Sequence, residues 1–217
     1  MRSVAVKPEY GPTLAEMLAP SWRSAPRAAR AAAVIGGVAL LALAVGVVLA
    51  LLNSSYSRGG QPSFHFSYRG LSRVSPEAGG YVRVQSHGHN GELKYSFAVD
   101  PLRLPAYSGA PGAQVPIYAA GYIRELRRRY PDLVLRGEGK TRLNSSLGGY
   151  QVAYTARIGG REMLVRDVLL LPERAGARRG VHIVMLTAPG VNPQITAPLE
   201  VASTGVLQRP LKTFSFG

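Results

Sequence analysis

Hydrophobic residues are distributed very unevenly along this chain. Residues 31–52 contain no charged or strongly polar side chain, whereas the remainder alternates short apolar runs with polar ones. A helix over 31–52 would be about 33 Å long, which is roughly the thickness of the hydrocarbon core of a bilayer. Because such a helix would be apolar on every side, it does not suit the surface of a soluble domain. The pattern therefore predicts one transmembrane helix over 31–52, surrounded by membrane lipid.

A cleaved signal peptide fits this segment less well than a permanent anchor. The apolar region of a signal peptide is about 7–15 residues long and ends at a small-residue cleavage site. The apolar segment here is longer, and its exit reads LALLNSSYS, which contains no such site. Arg23, Arg27 and Arg30 precede the segment, and Arg58 is the basic residue close behind it. Basic residues stay on the cytoplasmic side, so we expect a single-pass protein of the cell membrane with its N-terminus in the cytoplasm and residues 53–217 outside.

Residues 1–30 form the predicted cytoplasmic arm, which contains one local helix signal. Thr13 and Glu16 have the T-x-x-E spacing of a capping box, in which each side chain accepts a hydrogen bond from the other residue's backbone. The apolar residues that would share one face of this short helix are Leu14, Met17 and Leu18. Two interpretations remain open: the helix lies on lipid, or it docks on a cytoplasmic or membrane partner.

The residues after the span have the pattern of an α+β domain. Residues 53–63 are rich in Ser and Gly and are a predicted linker, and residues 64–217 are predicted to fold outside the membrane. Alternation of period two predicts a strand over 64–68 and a hairpin over 81–99. Asn90-Gly91 is a strong signal for the tight turn of that hairpin.

Helices and further strands follow in an order that indicates the fold class. A helix is predicted from Pro116 to Pro131, followed by a strand and then a hairpin that turns at Gly159-Gly160. Another strand, a helix over about 196–206 and a short final strand in LKTFSFG complete the chain. This order predicts an antiparallel sheet flanked by helices, an α+β domain preceded by one transmembrane helix.

The order of these elements, together with the closing TFSF strand, resembles the PsbP-like fold superfamily, which includes the LpqN-like proteins of actinobacterial envelopes. The resemblance covers residues 64–216. It implies an accessory, assembly or binding role more often than catalysis, and it implies no catalytic residues. This chain differs from the lipoprotein members because it has a predicted helical span in place of a lipidated cysteine.

The sequence contains no cysteine and no common catalytic motif. The absence of cysteine excludes disulfides, thiol catalysis and thiolate metal sites. The nucleophile and zinc patterns G-x-S-x-G, S-x-x-K and H-E-x-x-H do not occur. RGEGKT at 136–141 has Val134 where a phosphate-binding loop requires glycine. We therefore predict neither a cofactor nor a metal site.

The chain is strongly basic, with 26 Lys and Arg against 12 Asp and Glu and a formal net charge of +14. Arg124, Arg127 and Arg128 have the i, i+3, i+4 spacing that places them on one face of the predicted helix. This face is either simply solvated or binds anionic headgroups, wall polymers or an acidic partner. Nucleic acid is not an expected partner, because this helix is predicted to lie outside the membrane.

One carboxylate falls on an apolar face of the predicted sheet. If Gly159-Gly160 forms a two-residue turn, Asp167 lies opposite Val152 on that face. A buried carboxylate must be paired or hydrogen-bonded. The sequence therefore predicts a structural ion pair between Asp167 and either Arg142 or Arg166.

These observations predict a membrane-anchored envelope protein whose outer domain binds a protein partner, a lipid or an anionic cell-wall polymer without catalysing a reaction. Two alternatives remain open at this point. The first is an envelope hydrolase whose active site is not visible in the sequence. The second is a transmembrane sensor that relays a signal through residues 1–30.

Overall fold

The computed structural model describes residues 26–51, 53–105, 111–143, 147–174 and 176–217. The chain divides into two compact units that meet between Leu51 and Leu52. The predicted cytoplasmic docking residues, Thr13, Leu14, Glu16, Met17 and Leu18, lie outside the described ranges.

The apolar segment forms one helix, α1 (Arg27–Leu51), which begins a few residues before the predicted span. Its residues 27–46 contain an apolar window with a mean hydropathy of 2.1, and no residue of that window is buried. Apolar side chains that find no partner in the protein are stabilised by another apolar medium. α1 is therefore long enough and apolar enough to cross a membrane.

The second unit is built from two antiparallel sheets. In chain order the strands of the described residues are β1 (Ser54–Arg58), β2 (Phe64–Tyr68), β3 (Ser72–Val74), β4 (Val82–His87), β5 (Leu93–Arg103), β6 (Val134–Leu143), β7 (Leu147–Ile158), β8 (Arg161–Leu170), β9 (Arg179–Thr187) and β10 (Ser215–Phe216). The large sheet has the order β3-β4-β5-β9-β8-β7-β6, and the small sheet has the order β1-β2-β10. The predicted class, an antiparallel sheet with helices against it, is confirmed.

Glycines at the tight turns set the register of the predicted hairpins. Gly159 and Gly160 have φ angles of 60° and 80°, which side chains with a Cβ rarely adopt. The two glycines join β7 to β8 in a two-residue turn, so that Ile158 pairs with Arg161 and Val152 pairs with Asp167. β4 and β5 form the other predicted hairpin, in which Gly91 also has a positive φ of 75°.

The two faces of the large sheet are covered by different partners. We call them the small-sheet face, which packs on β1, β2, β10 and the C-terminal segment, and the α2 face, which packs on helix α2 (Pro111–Arg129). The small-sheet face is centred on Phe64, Phe66, Phe97, Ile183, Met185 and Phe214. The α2 face is centred on Ala119, Ile123, Leu126, Val152, Val165 and Leu169. Strands β8 and β9 are consequently buried on both sides.

The structure of the predicted linker and the start of helix α2 both differ from the prediction. The predicted linker 53–63 contains β1, whose Tyr56 packs on the rings of Phe64 and Phe66. Helix α2 begins at Pro111, so Pro116 lies inside the helix and not at its start. The predicted start at Pro116 was wrong because proline is common at the first position of a helix, whereas this proline lies in its second turn.

The predicted closing helix over 196–206 is also wrong. A short 3-10 helix (Pro198–Glu200) and a separate helix α3 (Gln208–Lys212) occupy this part of the chain. Between them Ala202 and Gly205 have φ angles of 67° and 73°, and residues in this left-handed region interrupt an α-helix. The final strand, β10, forms as predicted.

Phe66→Ala tests the packing of the small sheet on the large one. Phe66 is 1% exposed, and its ring centroid lies 5.0 Å from that of Phe97 in β5. Truncating a buried phenylalanine costs about 3–5 kcal/mol, because it removes apolar contacts and leaves a cavity. We expect a loss of that size in denaturant unfolding of the full chain in detergent.

Ile117→Ala is the matched control for this substitution, because Ile117 is 59% exposed. Its expected effect is within about 0.5 kcal/mol, as for most surface substitutions. Similar losses for the two variants would contradict the described packing.

Candidate functional site

A cavity of about 500 Å³ opens on the α2 face. It lies between the first turns of α2, the end of β6 and the start of β7. Its described lining consists of Val115, Pro116, Lys140, Thr141, Arg142, Gly148, Gly149, Tyr150, Leu169 and Leu171. This volume is within the range that small-molecule sites occupy in proteins.

The cavity combines an apolar wall with two cations. Val115, Leu169 and Leu171 supply apolar surface, whereas Lys140 and Arg142 project from the edge strand β6. Neither cation forms an ion pair with a described residue. An apolar lining with a few convergent polar groups is typical of a ligand site, and these groups favour an anion.

Two adjacent glycines shape the floor of the cavity in different ways. A Cβ on Gly149 would lie 2.5 Å from Leu170 Cδ2 and 2.8 Å from the carbonyl oxygen of Leu169. Gly149 therefore permits the close approach of β7 to β8. A Cβ on Gly148 would have no atom within 4 Å. The space above Gly148 is consequently open to a ligand.

Helix α2, which forms one wall of the cavity, is attached to the sheet by a buried polar contact. The Tyr122 hydroxyl donates a hydrogen bond to Asp167 Oδ2 at 2.6 Å. Asp167 is fully buried. Val115 and Pro116 lie roughly two turns before Tyr122 on the same helix. The contact therefore contributes to the position of the wall.

A histidine and a second tyrosine complete the surroundings of Asp167. His182 Nε2 lies 3.6 Å from Asp167 Oδ2, and the His182 ring packs edge-on against Tyr122 at 4.9 Å between centroids. Burial and the Asp167 charge raise the pKa of Tyr122 well above its usual value, and the same two causes raise the pKa of Tyr154. Both phenols are therefore protonated at neutral pH.

The polar groups continue across the sheet toward β4. Asp100 in β5 pairs directly with His182 in β9. Burial raises the pKa of Asp100, and the nearby His182 and Arg83 oppose that rise. Arg83 in turn forms an ion pair with Glu77 at 2.6 Å. Within the described residues, Asp167 Oδ1, His182 Nε2 and Arg83 Nε are buried without a hydrogen-bond partner.

The predicted ion pair of Asp167 with an arginine does not form. Arg166 points to the opposite face, because neighbouring residues in a strand alternate. Its guanidinium donates to Gln151 Oε1 at 2.7 and 3.1 Å and to the Val201 carbonyl at 3.1 Å. Arg142 lies at the cavity instead. Asp167 is buried opposite Val152, but it accepts a hydrogen bond from Tyr122 and has His182 Nε2 at 3.6 Å.

The predicted basic face lies on α2 but away from the cavity. Arg124, Arg127 and Arg128 are exposed, and Arg128 forms an ion pair with Glu125 at 2.8 Å. None of the three lines the cavity. Their role in binding an anionic partner remains a prediction.

Sequence reasoning missed two parts of this site. The first is Lys140, which the sequence shows only as part of RGEGKT. Lys140 lies near Arg142 and Leu169 because β6 pairs with β7 and β7 pairs with β8. Tyr122 and Asp167 are 45 residues apart. The sequence did contain one signal for this contact. Tyr122 lies on the predicted helix, and a helix packed on the sheet can bring a tyrosine close to Asp167. Within the described residues no group of three or more metal-ligating side chains occurs.

Comparison with known proteins shows the fold. No family model and no curated protein sequence matches the chain. Among solved structures, LpqN, involved in cell envelope biogenesis of Mycobacterium tuberculosis, is similar with a TM-score of 0.50 and 9% identity, over 76% of this chain and 91% of LpqN. A Pseudomonas aeruginosa protein of unknown function has a TM-score of 0.38 and 12% identity, over 58% of this chain and 88% of its own.

The LpqN similarity confirms the predicted resemblance at the level of the fold. At 9% identity it does not show a shared function. Membership of the wider PsbP-like superfamily remains a prediction.

Tyr122→Phe tests whether Asp167 depends on α2. This variant removes the donor to a fully buried carboxylate, and an unsatisfied buried acceptor costs about 1–3 kcal/mol. We expect a loss of that size in the free energy of unfolding of the full chain.

Tyr118→Phe provides the control on the same helix, because the Tyr118 hydroxyl makes no hydrogen bond to a described residue. We expect it to change stability by less than about 0.5 kcal/mol. Equal effects of the two variants would show that the Tyr122–Asp167 contact does not stabilise the domain.

Proposed function

We propose that this chain is a single-pass envelope protein whose domain outside the membrane binds an amphiphilic anion. The apolar part of the ligand occupies the cavity between α2 and β7, and its acidic group contacts Lys140 and Arg142. The observation that carries the proposal is the combination of about 500 Å³ of open volume with an apolar wall and two cations that lack an ion-pair partner among the described residues.

The lining favours binding over catalysis. A general base must lie within hydrogen-bond reach of the substrate, and histidine, aspartate and glutamate take this role most often. The described lining includes no histidine and no carboxylate. Burial raises the pKa of its Tyr150, which disfavours the phenolate, and its Lys140 is the cation proposed to contact the ligand. His182 and Asp167 lie on the same face, but the described lining does not include them. The cavity therefore supports a non-catalytic binding module.

The envelope location rests on α1 and on the fold. α1 is long and apolar enough to span a membrane. The basic residues Arg23, Arg27 and Arg30 before it favour a cytoplasmic N-terminus. LpqN, which shares the fold, is involved in cell envelope biogenesis. An amphiphilic anion such as a lipid or lipid-linked envelope precursor is available on that side of the membrane.

The proposed orientation is testable with single cysteines, because the chain has none of its own. Ser75→Cys lies in an exposed part of the outer domain, and we expect a membrane-impermeant maleimide to label it in intact cells. Ser3→Cys is expected to react only after lysis. Labelling of Ser3→Cys and protection of Ser75→Cys in intact cells would contradict the orientation.

The cavity is testable with a substitution that fills it. In Gly148→Leu the new side chain enters open space in the cavity, without a clash at its Cβ. We expect full-length wild-type protein, purified from its membrane in mild detergent, to retain an anionic amphiphile in native mass spectrometry. Gly148→Leu is expected to lose most of that ligand, because the leucine occupies its volume.

Gly139→Leu is the matched control. Gly139 lies in β6, a Cβ there would also have no atom within 4 Å, and it does not line the cavity. This variant should retain the ligand as the wild type does. No retained amphiphile in the wild type, or equal retention by the two variants, would contradict the proposed site.

A further inference from the structure

A second cavity, of about 760 Å³, lies on the opposite, small-sheet side of the large sheet. Its lining comes from three parts of the chain: the β1–β2 turn, the β8–β9 connection and the end of β10. Pro62, Pro172 and Phe216 provide apolar contacts, and Arg174 and Arg179 are exposed at its surface. We call this the basic cavity.

Arg179, which lines the basic cavity, lies directly opposite another arginine in the large sheet. Arg179 at the start of β9 pairs directly with Arg103 at the end of β5. Directly opposed like charges destabilise an antiparallel pair. Neither arginine, nor Arg174, forms an ion pair or a side-chain hydrogen bond with a described residue. Among the described residues, therefore, none of these three guanidinium groups is neutralised by an ion pair.

The connection that contains Arg174 is held by its own backbone. The Arg174 amide donates to the Pro172 carbonyl at 2.7 Å, and the Ala177 amide donates to the Arg174 carbonyl at 3.0 Å. The Leu104 amide donates to the Arg178 carbonyl at 2.9 Å, which fixes the end of β5 against the same connection. The cations are thus presented from a hydrogen-bonded backbone, which reduces the entropy lost when a ligand binds.

We propose that the basic cavity binds a phosphate-bearing ligand through Arg174 and Arg179, which line it, with Arg103 beside Arg179 at its edge. Each guanidinium presents a planar set of donors that matches two oxygens of a phosphate. A phosphate bound beside this pair would attract both guanidinium groups and so offset the repulsion between Arg103 and Arg179. Glu173 is the one acidic side chain of the described lining, so the balance of charge favours an anion. This site is separate from the first cavity, between α2 and β7, because the two cavities lie on opposite faces of the large sheet.

Isothermal titration of the full-length protein in a non-ionic detergent, with tripolyphosphate as the probe, tests the site. We expect binding by the wild type. Arg179→Glu should weaken binding by about tenfold or more, since it removes a charge-assisted contact and adds a repulsive charge. Arg174→Glu should have a similar effect.

The unliganded stability of Arg179→Glu provides a second, opposite readout. A glutamate opposite Arg103 converts a repulsive cross-strand pair into an attractive one, so the melting temperature without ligand should rise. A fall in the melting temperature would contradict the claimed repulsion, and near-ultraviolet circular dichroism of the tyrosines verifies that the domain is folded. If Arg179→Glu melts at a higher temperature but binds tripolyphosphate more weakly, the weaker binding is due to the lost ligand contact and not to unfolding.

Arg124→Glu on α2 is the matched control, because it makes the same change in charge at an exposed position outside the basic cavity. It should bind tripolyphosphate as the wild type does. Equal weakening by Arg124→Glu, unchanged binding by Arg179→Glu, or no binding by the wild type would overturn the proposal.

The source of the phosphate is distinguished by a second probe. Glycerophosphoglycerol is the deacylated headgroup of an anionic phospholipid. Binding of this probe that depends on Arg179 assigns the phosphate to a lipid headgroup. Binding of tripolyphosphate alone assigns it to a soluble or polymer-borne phosphate. Both results support the basic cavity as a phosphate site. This proposal does not depend on the outcome of the Gly148→Leu experiment, which tests the other cavity.

Discussion

Coverage of both faces of the large sheet is the constraint on which the rest of the domain depends. β8 and β9 are covered by the small sheet on one side and by α2 on the other. A polar group on these strands is largely shielded from water, which is costly where no hydrogen bond replaces the water. Asp167 and His182 are such groups. α2 supplies the Tyr122 hydroxyl to Asp167 Oδ2, whereas Asp167 Oδ1 and His182 Nε2 have no hydrogen-bond partner among the described residues. The helix is positioned by apolar packing and by one carboxylate that water does not reach.

The two cavities lie where this double coverage ends. α2 begins beside β6 and β7, and the first cavity opens at that edge, with Lys140 and Arg142 from the edge strand β6. The basic cavity opens at the ends of β5 and β9, where the small sheet ends. Cations are tolerated at both places because their charged ends remain in water. Apolar packing fills most of the interior, and both proposed binding sites lie at its margins.

The sequence was informative wherever local rules decide the structure. Glycine pairs predicted the turn of the β7–β8 hairpin, and period-two alternation predicted β2, because both signals act over a few residues. β1 was missed because its pattern of serines and one tyrosine carries little apolar periodicity. The start of α2 was misplaced because Pro116 is a helix signal that here lies within the helix.

The candidate site was predictable only in part, for a physical reason. The alternation of β8 placed Asp167 on a buried face, and the structure agrees. The alternation of a strand does not predict the hydrogen-bond donor to Asp167. Arg166 is adjacent in sequence but points to the other face, and the donor, Tyr122, lies on helix α2. Cavities also depend on gaps between elements that sequence periodicity does not encode.

The small sheet has a consequence for how the domain is made. Its central strand β2 pairs with β10, and the hydrogen-bonded residues His65 and Ser215 are 150 positions apart. Loop closure over such a distance is entropically costly and slow compared with local pairing. The core of the small-sheet face is therefore incomplete until the last strand has been synthesised. In the orientation proposed above, this delay keeps the domain from completing its core before the chain has crossed the membrane.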